Sequence, residues 1–428
     1  MFLKEALPLS SVSQNATQSR TRFAVRPETA QPHVEGNVQV SDDYLGAPQD
    51  IDVPAQNTDE LQAAWREWAT ECQASGTPTI VQLNHPGRQS PAGAGKKSFF
   101  TKNLAPSPIG LNFGPGILAK VASKVLFGTP KEMTVQDIKL VIDQFVEGAK
   151  RSYDAGFKGV ELHAAHGYLL AQFHSPATNR RTDEFGGSAH KRVEISLRII
   201  RRIRAVTSPN FSISIKFNSA DAATDKTEDV LEQIRLLVDA GIDFLEISGG
   251  TYENPLMMGD DGVAKQDMSE DKPMKASTIK RESFFLEFAQ TVRKSFPGLV
   301  LMVTGGFRTR TGMEGALQSG ACDIVGVGRP AAVYPDFPTK IILNENVKDE
   351  DANANLPRIE VEGAEKWIVK ISGVTALGAG KTTRVYQEHI GSMAAIKAFS
   401  CSISSLMTLT IHSRCEEAKP NGQESPRI

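Results

Sequence analysis

Residues 134–163, TVQDIKLVIDQFVEGAKRSYDAGFKGVELH, contain one complete helix-to-strand unit. Thr134 and Asp137 match a capping box, in which side-chain oxygens take up backbone N–H groups that a helix start leaves open. Ile138, Val141, Ile142, Phe145 and Ala149 fall on one face at helical spacing. Gly156 can take the left-handed conformation that stops a helix. Gly159–His163 then reads as a short strand.

The unit repeats on both sides. Upstream, Thr58 caps a helix carrying Leu61, Trp65, Trp68 and Cys72 at helical spacing, ending near Gly76, and Thr79–Leu83 follows as a strand. Downstream, a helix around Val193, Leu197, Ile200 and Ile203 leads into Ser212–Phe217, and a helix from Thr227 to Ala240 leads into Phe244–Ser248. Ser283–Ser295 precedes the strand Val300–Thr304, and Thr311–Ser319 precedes Asp323–Val327. Strands rich in Ile and Val, each separated from the next by a helix, point to a parallel sheet with helices outside it. The expected fold class is α/β, a (β/α)8 TIM barrel whose eight strands close into a ring.

Six strands are clear, and the ring is short at its start. Gly36–Val40 reads as a remnant of the second strand, whereas residues 1–35 are polar, hold three prolines and show neither period. The first β/α unit is therefore expected to be absent or replaced, which leaves strand edges open. A truncated or misassembled reading of the gene explains this most simply. The expected division is an atypical, poorly ordered segment 1–35, a barrel domain 36–343, and a C-terminal extension 344–428 with a polar tail. The loops after Leu83 and Ser248 are long. Chemistry in such barrels sits at the C-terminal strand ends, so they read as substrate cover; for the Gly/Pro-rich segment 91–130 an unstructured insertion is the equal alternative.

Composition excludes several classes. Hydrophobic residues make up 40% of the 428 and charged residues 23%, with a formal net charge of −2, which gives no electrostatic reason to expect nucleic acid or an anionic membrane as partner. No stretch approaches the roughly 20 apolar residues of a membrane span. Arg20, Arg22 and Arg26 among Ser, Thr and Gln make a faint transit-peptide pattern, against which Glu5 and the lack of amphipathicity argue. Cys72, Cys322, Cys401 and Cys415 show no CxxC spacing, so a reducing, cytoplasmic location is expected. The expected partner is a small-molecule substrate, and a homo-oligomer stays open.

The densest chemistry is His163-Ala164-Ala165-His166-Gly167-Tyr168. Two imidazoles and a phenol at a strand end can polarise a carbonyl by N–H donation and deliver a proton to carbon. They can equally be satisfied polar residues, or the histidines could ligate a metal with Glu161, Asp183 or Glu184, although no HxH or HExxH spacing supports that. Gly305-Gly306 and Gly326-Val327-Gly328-Arg329 follow the last two strands. Glycine lets backbone N–H groups approach a phosphate and Arg329 adds a fixed charge, but turns also favour glycine. Gln82 can pair with an amide-like edge or be an ordinary polar residue. Lys216 must meet an anion or an electron-rich group if it points inward and is merely solvated if it points outward; alternation along 213–217 leaves both open.

The segment 163–188, HAAHGYLLAQFHSPATNRRTDEFGGS, resembles the signature of the old yellow enzyme or NADH:flavin oxidoreductase family. VQLNHPGRQSP (81–91), SIKFNSAD (214–221), FLEISGG (244–250), VTGGF (303–307) and VGVGRP (325–330) fall in the family's order, and the resemblance runs from about Gly36 to Leu343. LPRIEVEGAEKW and TALGAG, between 356 and 380, resemble a fungal-type branch. The resemblance implies FMN as cofactor and NADH or NADPH as reductant. It implies that His163 and His166 bind the substrate carbonyl, that Tyr168 donates the proton, and that Gln82 contacts the pyrimidine edge of the isoalloxazine. By the same resemblance Lys216 stands near flavin N1 and C2=O, and Gly305, Gly306, Gly328 and Arg329 hold the phosphate. The implied reaction is ping-pong: hydride passes from NAD(P)H to the flavin, then to the β-carbon of an activated alkene. The family's first strand and helix have no counterpart before Gly36. A catalytically impaired remnant that has lost flavin binding is therefore a second reading, and a metal-dependent barrel hydrolase using His163 and His166 a third.

Overall fold

A computed structural model describes residues 33–47, 50–114, 116–219, 226–249, 253, 276–334, 336–354 and 356. Residues 1–32, TALGAG, the polar tail and all but the first residue of LPRIEVEGAEKW lie outside the described residues. The chain enters through β1 (His33–Gln39), touches its outer side with β2 (Ile51–Asp52), and passes through α1 (Asp59–Cys72) to β3 (Thr79–Asn84). An excursion through β4 (Leu104–Ala105), α2 (Ile117–Leu126) and β5 (Lys131–Glu132) precedes α3 (Val135–Ala155) and β6 (Gly159–Ala164). Next come α4 (Leu169–His174), α5 (Ala189–Val206), β7 (Ser212–Asn218), α6 (Thr227–Asp239) and β8 (Phe244–Ser248). The described barrel ends with α7 (Ala276–Ser295), β9 (Val300–Thr304), α8 (Arg310–Gln318), β10 (Ile324–Gly326) and α9 (Arg329–Val333).

β1, β3 and β6 to β10 lie side by side in chain order, all parallel, with β2 outside β1. This is the expected α/β arrangement of a barrel, a parallel sheet of eight described strands with helices between them. The described sheet ends at β10 on one side and at β2 on the other, without closing. Two details differ from expectation. The strand read as Gly36–Val40 begins at His33, inside the segment expected to hold none. Ile51–Asp52, too short to show a period, pairs with Val38–Gln39, and Val53 extends the ladder by donating its N–H to the Gln39 carbonyl at 2.8 Å.

The segment 91–130 is built rather than unstructured. It carries β4 and α2, and buried Asn103 ties it down by donating to the Ser90 carbonyl at 2.7 Å and the Phe127 carbonyl at 3.0 Å. The capping box of α3 is present, with Asp137 N–H donating to Thr134 Oγ1 at 3.1 Å and Thr134 N–H to Asp137 Oδ2 at 2.8 Å, and Gly156 closes the helix at φ 98°. No described helix is long and apolar enough to cross a membrane.

Two alternate helices, α5 and α7, carry the same device at the N-terminal ends of the strands they precede. Arg204 of α5 donates to the Phe211 carbonyl at 2.6 Å, the Gly241 carbonyl at 2.7 Å and Asp243 Oδ2 at 2.6 Å, and Asp243 also accepts the Ile213 N–H at 2.8 Å. Arg293 of α7 repeats this with the Leu299 carbonyl at 2.6 Å, the Gly320 carbonyl at 3.3 Å and Asp323, which accepts the Leu301 N–H at 2.9 Å. Each arginine binds helix, turn and two strands together, so the strand starts are clamped while their far ends stay free for chemistry. Asp243→Asn should cost about 2 kcal/mol, at the lower end for a charged buried network because Arg204 keeps 23% exposure. Urea unfolding measures the loss.

Candidate active site

Strand alternation sorts the side chains into two populations. Val81, Leu83, Val160, Leu162, Ile213, Ile215, Leu245, Ile247, Leu301 and Val303 join the hydrophobic core against the helices. The intervening positions carry Gln82, Asn84, Glu161, His163, Ser214, Lys216, Glu246 and Ser248, which face away from that core and are nearly all buried. Lys216 therefore points inward: its neighbours in register are His163 on β6 and Glu246 on β8.

Beyond β6 the chain turns through His166 at φ 59° and Gly167 at φ 73°. Among the described residues His166 is the one non-glycine in the left-handed region, a conformation that costs roughly 1 kcal/mol. The turn folds its ring back onto His163, placing His166 Nδ1 3.2 Å from His163 Nε2, with His166 Nε2 3.0 Å from Ser248 Oγ. The Ala165 N–H donates to His163 Nδ1 at 3.3 Å. This network assigns the tautomers: the His163 proton sits on Nε2 and is given to His166 Nδ1, and His166 in turn donates from Nε2 to Ser248. Burial, then His166 and Lys216, hold His163 well below the ordinary imidazole range; burial and Lys216 bring His166 to about 3. Both rings are neutral. Tyr168 meets the His163 ring edge-on with centroids 4.7 Å apart, and Asn37 of β1 donates to the Tyr168 hydroxyl at 3.5 Å.

Beneath this pair lies a charged cluster. Lys216 Nζ is 2.7 Å from Glu246 Oε1, and Gln82 Nε2 donates to Glu161 Oε1 at 2.6 Å. Burial, then the charge of Glu246, push the Glu161 carboxyl well above the usual carboxylate range. Burial also works against a charged Glu246, but Lys216 and hydrogen bonding outweigh it and hold Glu246 below that range. Lys216 is held above the ordinary lysine range, its burial outweighed by the two glutamates. Glu161 is therefore protonated and Glu246 ionised. Glu161 Oε2, otherwise without a partner, then has a proton to give to Glu246.

The late glycines divide. An added Cβ at Gly305 would sit 2.7 Å from the Phe285 ring, and at Gly326 it would sit 1.9 Å from Thr304 Oγ1, so packing alone accounts for both. Gly306 needs its φ of 79°, and Gly328 is exposed with nothing within 4 Å. Thr304 pairs with Gly326, which sets the turn at Gly305 and Gly306 beside the one at Gly328 and Arg329. His163, His166, Tyr168, Gln82 and Lys216 thus share one inner face, and the glycine turns leave the same sheet two and three strands along from Lys216.

Sequence reasoning missed Glu246, Ser248 and Asn37. Glu246 and Ser248 share the parity of Lys216 in register, which was the available signal. It also missed Arg88, which donates to Glu253 at 2.6 Å, while Glu253 accepts the Asn112 N–H at 2.7 Å and so joins the two long loops. The metal reading finds no geometry: the two histidines are turned on each other, and the described residues hold no group of three His, Cys, Asp or Glu able to take an ion.

The sequence model of the NADH:flavin oxidoreductase / NADH oxidase family matches residues 49–349. The chain belongs to this family. It is 42% identical over 347 residues to the NADH-dependent flavin oxidoreductase iliE of Hypocrea jecorina, covering 80% of this chain and 83% of that protein. It is 41% identical over 363 residues to the NADH-dependent flavin oxidoreductase iccE of Talaromyces variabilis, covering 84% and 85%. Among solved structures, the old yellow enzyme homologue from Zymomonas mobilis superposes with a TM-score of 0.55 at 20% identity, over 81% of this chain and 88% of that one. The fold is that of the old yellow enzymes. As a member of its family the protein is an FMN-type oxidoreductase served by NAD(P)H.

Buried neutral histidines make folding sensitive to acid. His85, His166 and His174 are brought to about 3 and His163 is also lowered, in each case by burial first, while the unfolded chain protonates near 6.5. Below that pH the unfolded state binds more protons, so stability is full above about 6.5 and is lost as pH falls towards 3, by up to roughly 1.4 kcal/mol per unit for each group. The urea midpoint of the apoprotein should fall from pH 7 to pH 5, and the fall should be shallower in His166→Gln.

Proposed function

We propose that the protein reduces an activated C=C bond, that of an α,β-unsaturated carbonyl or a related small molecule, in a ping-pong reaction. The observation that carries this reading is the pair of neutral, buried imidazoles at the end of β6 with Tyr168 against them. A neutral imidazole donates a hydrogen bond without adding charge. The His163 Nε2–H that now serves His166, and the His166 Nε2–H that now serves Ser248, are the donors a substrate carbonyl would take. Their pull lowers electron density at the β-carbon, where hydride arrives. The Tyr168 phenol then supplies a proton to the α-carbon.

FMN, when bound, supplies the acceptance of hydride from NAD(P)H and its delivery to substrate. The inner face fits such a heterocycle. Amide and ammonium donors stand on β3 and β7, either side of β6, and Asn37 Oδ1 and Asn84 Oδ1 are buried without a protein partner. Gln82 and Lys216 would hold the polar edge of the ring, and backbone at Gly305, Gly306 and Gly328 with Arg329 would hold the phosphate. We place the barrel domain at 36–343 and treat 344–428 as an extension. A cytoplasmic setting, with neither nucleic acid nor membrane as partner, fits the composition.

The impaired-remnant reading has one observation in its favour. The described sheet ends at β10 and β2 without closing, and Met302 and Thr304 on the inner side of β9 keep part of their surface exposed where β6 and β8 are sealed. An absorption spectrum separates the two. Purified protein should be yellow and should bleach anaerobically with NADH or NADPH; folded but colourless protein supports the remnant. Tyr168→Phe should keep the bleaching and slow alkene-dependent reoxidation about 10²-fold, read by stopped flow.

A further inference from the structure

We infer that Glu246 is a positioning residue for Lys216: it fixes the ammonium and cancels its charge, with Glu161 as a neutral third member, so that the flavin is received by an electrically balanced cluster rather than by a bare cation. This rests on the reading that FMN lies over Lys216. The geometry comes from four adjacent strands. Glu246 Oε1 takes the Lys216 ammonium at 2.7 Å, and the two residues are direct neighbours in register. The Glu246 side chain is 2% exposed and that of Lys216 13%. Water therefore does little to screen either charge, and the pair is an intrinsic feature of the site.

Glu161 lies on the same inner face, accepts from Gln82 at 2.6 Å and leans on Glu246. The groups facing it are Gln82 from β3, Ser214 and Lys216 from β7 and Glu246 from β8, with His163 two residues along its own strand and Thr304 from β9 acting on Glu246. With one cation among them, two ionised carboxylates would leave an uncompensated buried negative charge. One proton shared between the acids removes it, and the imidazoles are neutral as well. The cluster then sums to zero.

A lone ammonium beneath the pyrimidine edge would favour the anionic reduced flavin; a neutralised one favours it much less. The test uses the FMN-loaded full chain and its apoprotein. Poised against a reference dye, Glu246→Gln made in a Glu161→Gln background, where no second carboxyl can ionise in its place, should raise the ratio of reduced to oxidised flavin at least tenfold over Glu161→Gln alone, because the cluster gains one positive charge. With Lys216→Met added to that background the same substitution should change the ratio less than twofold. A ratio within twofold of Glu161→Gln alone, or an equal rise with and without Lys216, overturns the proposal.

The apoprotein tests the proton. A carboxyl raised in the folded state stabilises fully below the unfolded value near 4.5 and loses its contribution as pH rises. Wild type should therefore become progressively less stable relative to Glu161→Gln from pH 5 to pH 8, and a difference that stays flat overturns the neutral assignment. Should wild type take up no FMN, the functional reading fails, but a stability cycle between Glu246→Gln and Lys216→Met still decides the pairing. Coupled losses uphold it and additive ones overturn it.

Discussion

A lysine buried on the inner face of a parallel sheet must be paired, and much of the site follows from how this chain pairs it. Lys216 takes Glu246 from the next strand. Once that carboxylate is ionised, a second one beside it is too costly, so Glu161 keeps its proton. The same ammonium, together with burial, keeps His163 and His166 uncharged. Burial is the first cause of their neutrality, and the ammonium beside His163 in register adds to it, leaving a pair of neutral N–H donors.

The backbone contributes separately. His166 sits in a conformation that side chains rarely adopt, and Gly167 continues the same turn. Without it the chain would carry the second imidazole away from the sheet; with it, the ring returns over the first. The strain can be borne because β6 is buried along its whole length and its neighbour β7 is held at its start by the Arg204–Asp243 network. Rigidity at the N-terminal strand ends and adaptable geometry at the C-terminal ends is a division of labour suited to this fold.

The open side of the ring has its own logic. The inner residues of β6 and β8 are sealed and Lys216 of β7 is nearly so, whereas Met302 and Thr304 of β9 and Ile324 of β10, towards the end of the described sheet, are partly exposed. The glycine turns belong to this side. Of the glycines grouped by sequence, Gly305 and Gly326 are needed because Phe285, Thr304 and Met302 crowd them, while Gly306 takes a left-handed φ of 79° and Gly328 has open space where a Cβ would stand.

Most of the fold was legible in the primary sequence, because period and punctuation are local. Thr134 with Asp137, the face from Ile138 to Ala149 and the stop at Gly156 are each decided within a few residues, and so is a strand such as Phe244–Ser248. The short pair Ile51–Asp52 carries no such period and became visible only through its partner, while α2 does carry a helical period, obscured by the Gly/Pro-rich segment around it. For the site, chemistry of type was readable: imidazoles, a phenol, an amide and an ammonium on strand ends. Which way Lys216 points, which carboxylate meets it and which keeps its proton depend on register between strands dozens of residues apart. Only the tertiary structure decides these, because the energy of a buried charge is set by what surrounds it in space, and sequence neighbours do not fix that.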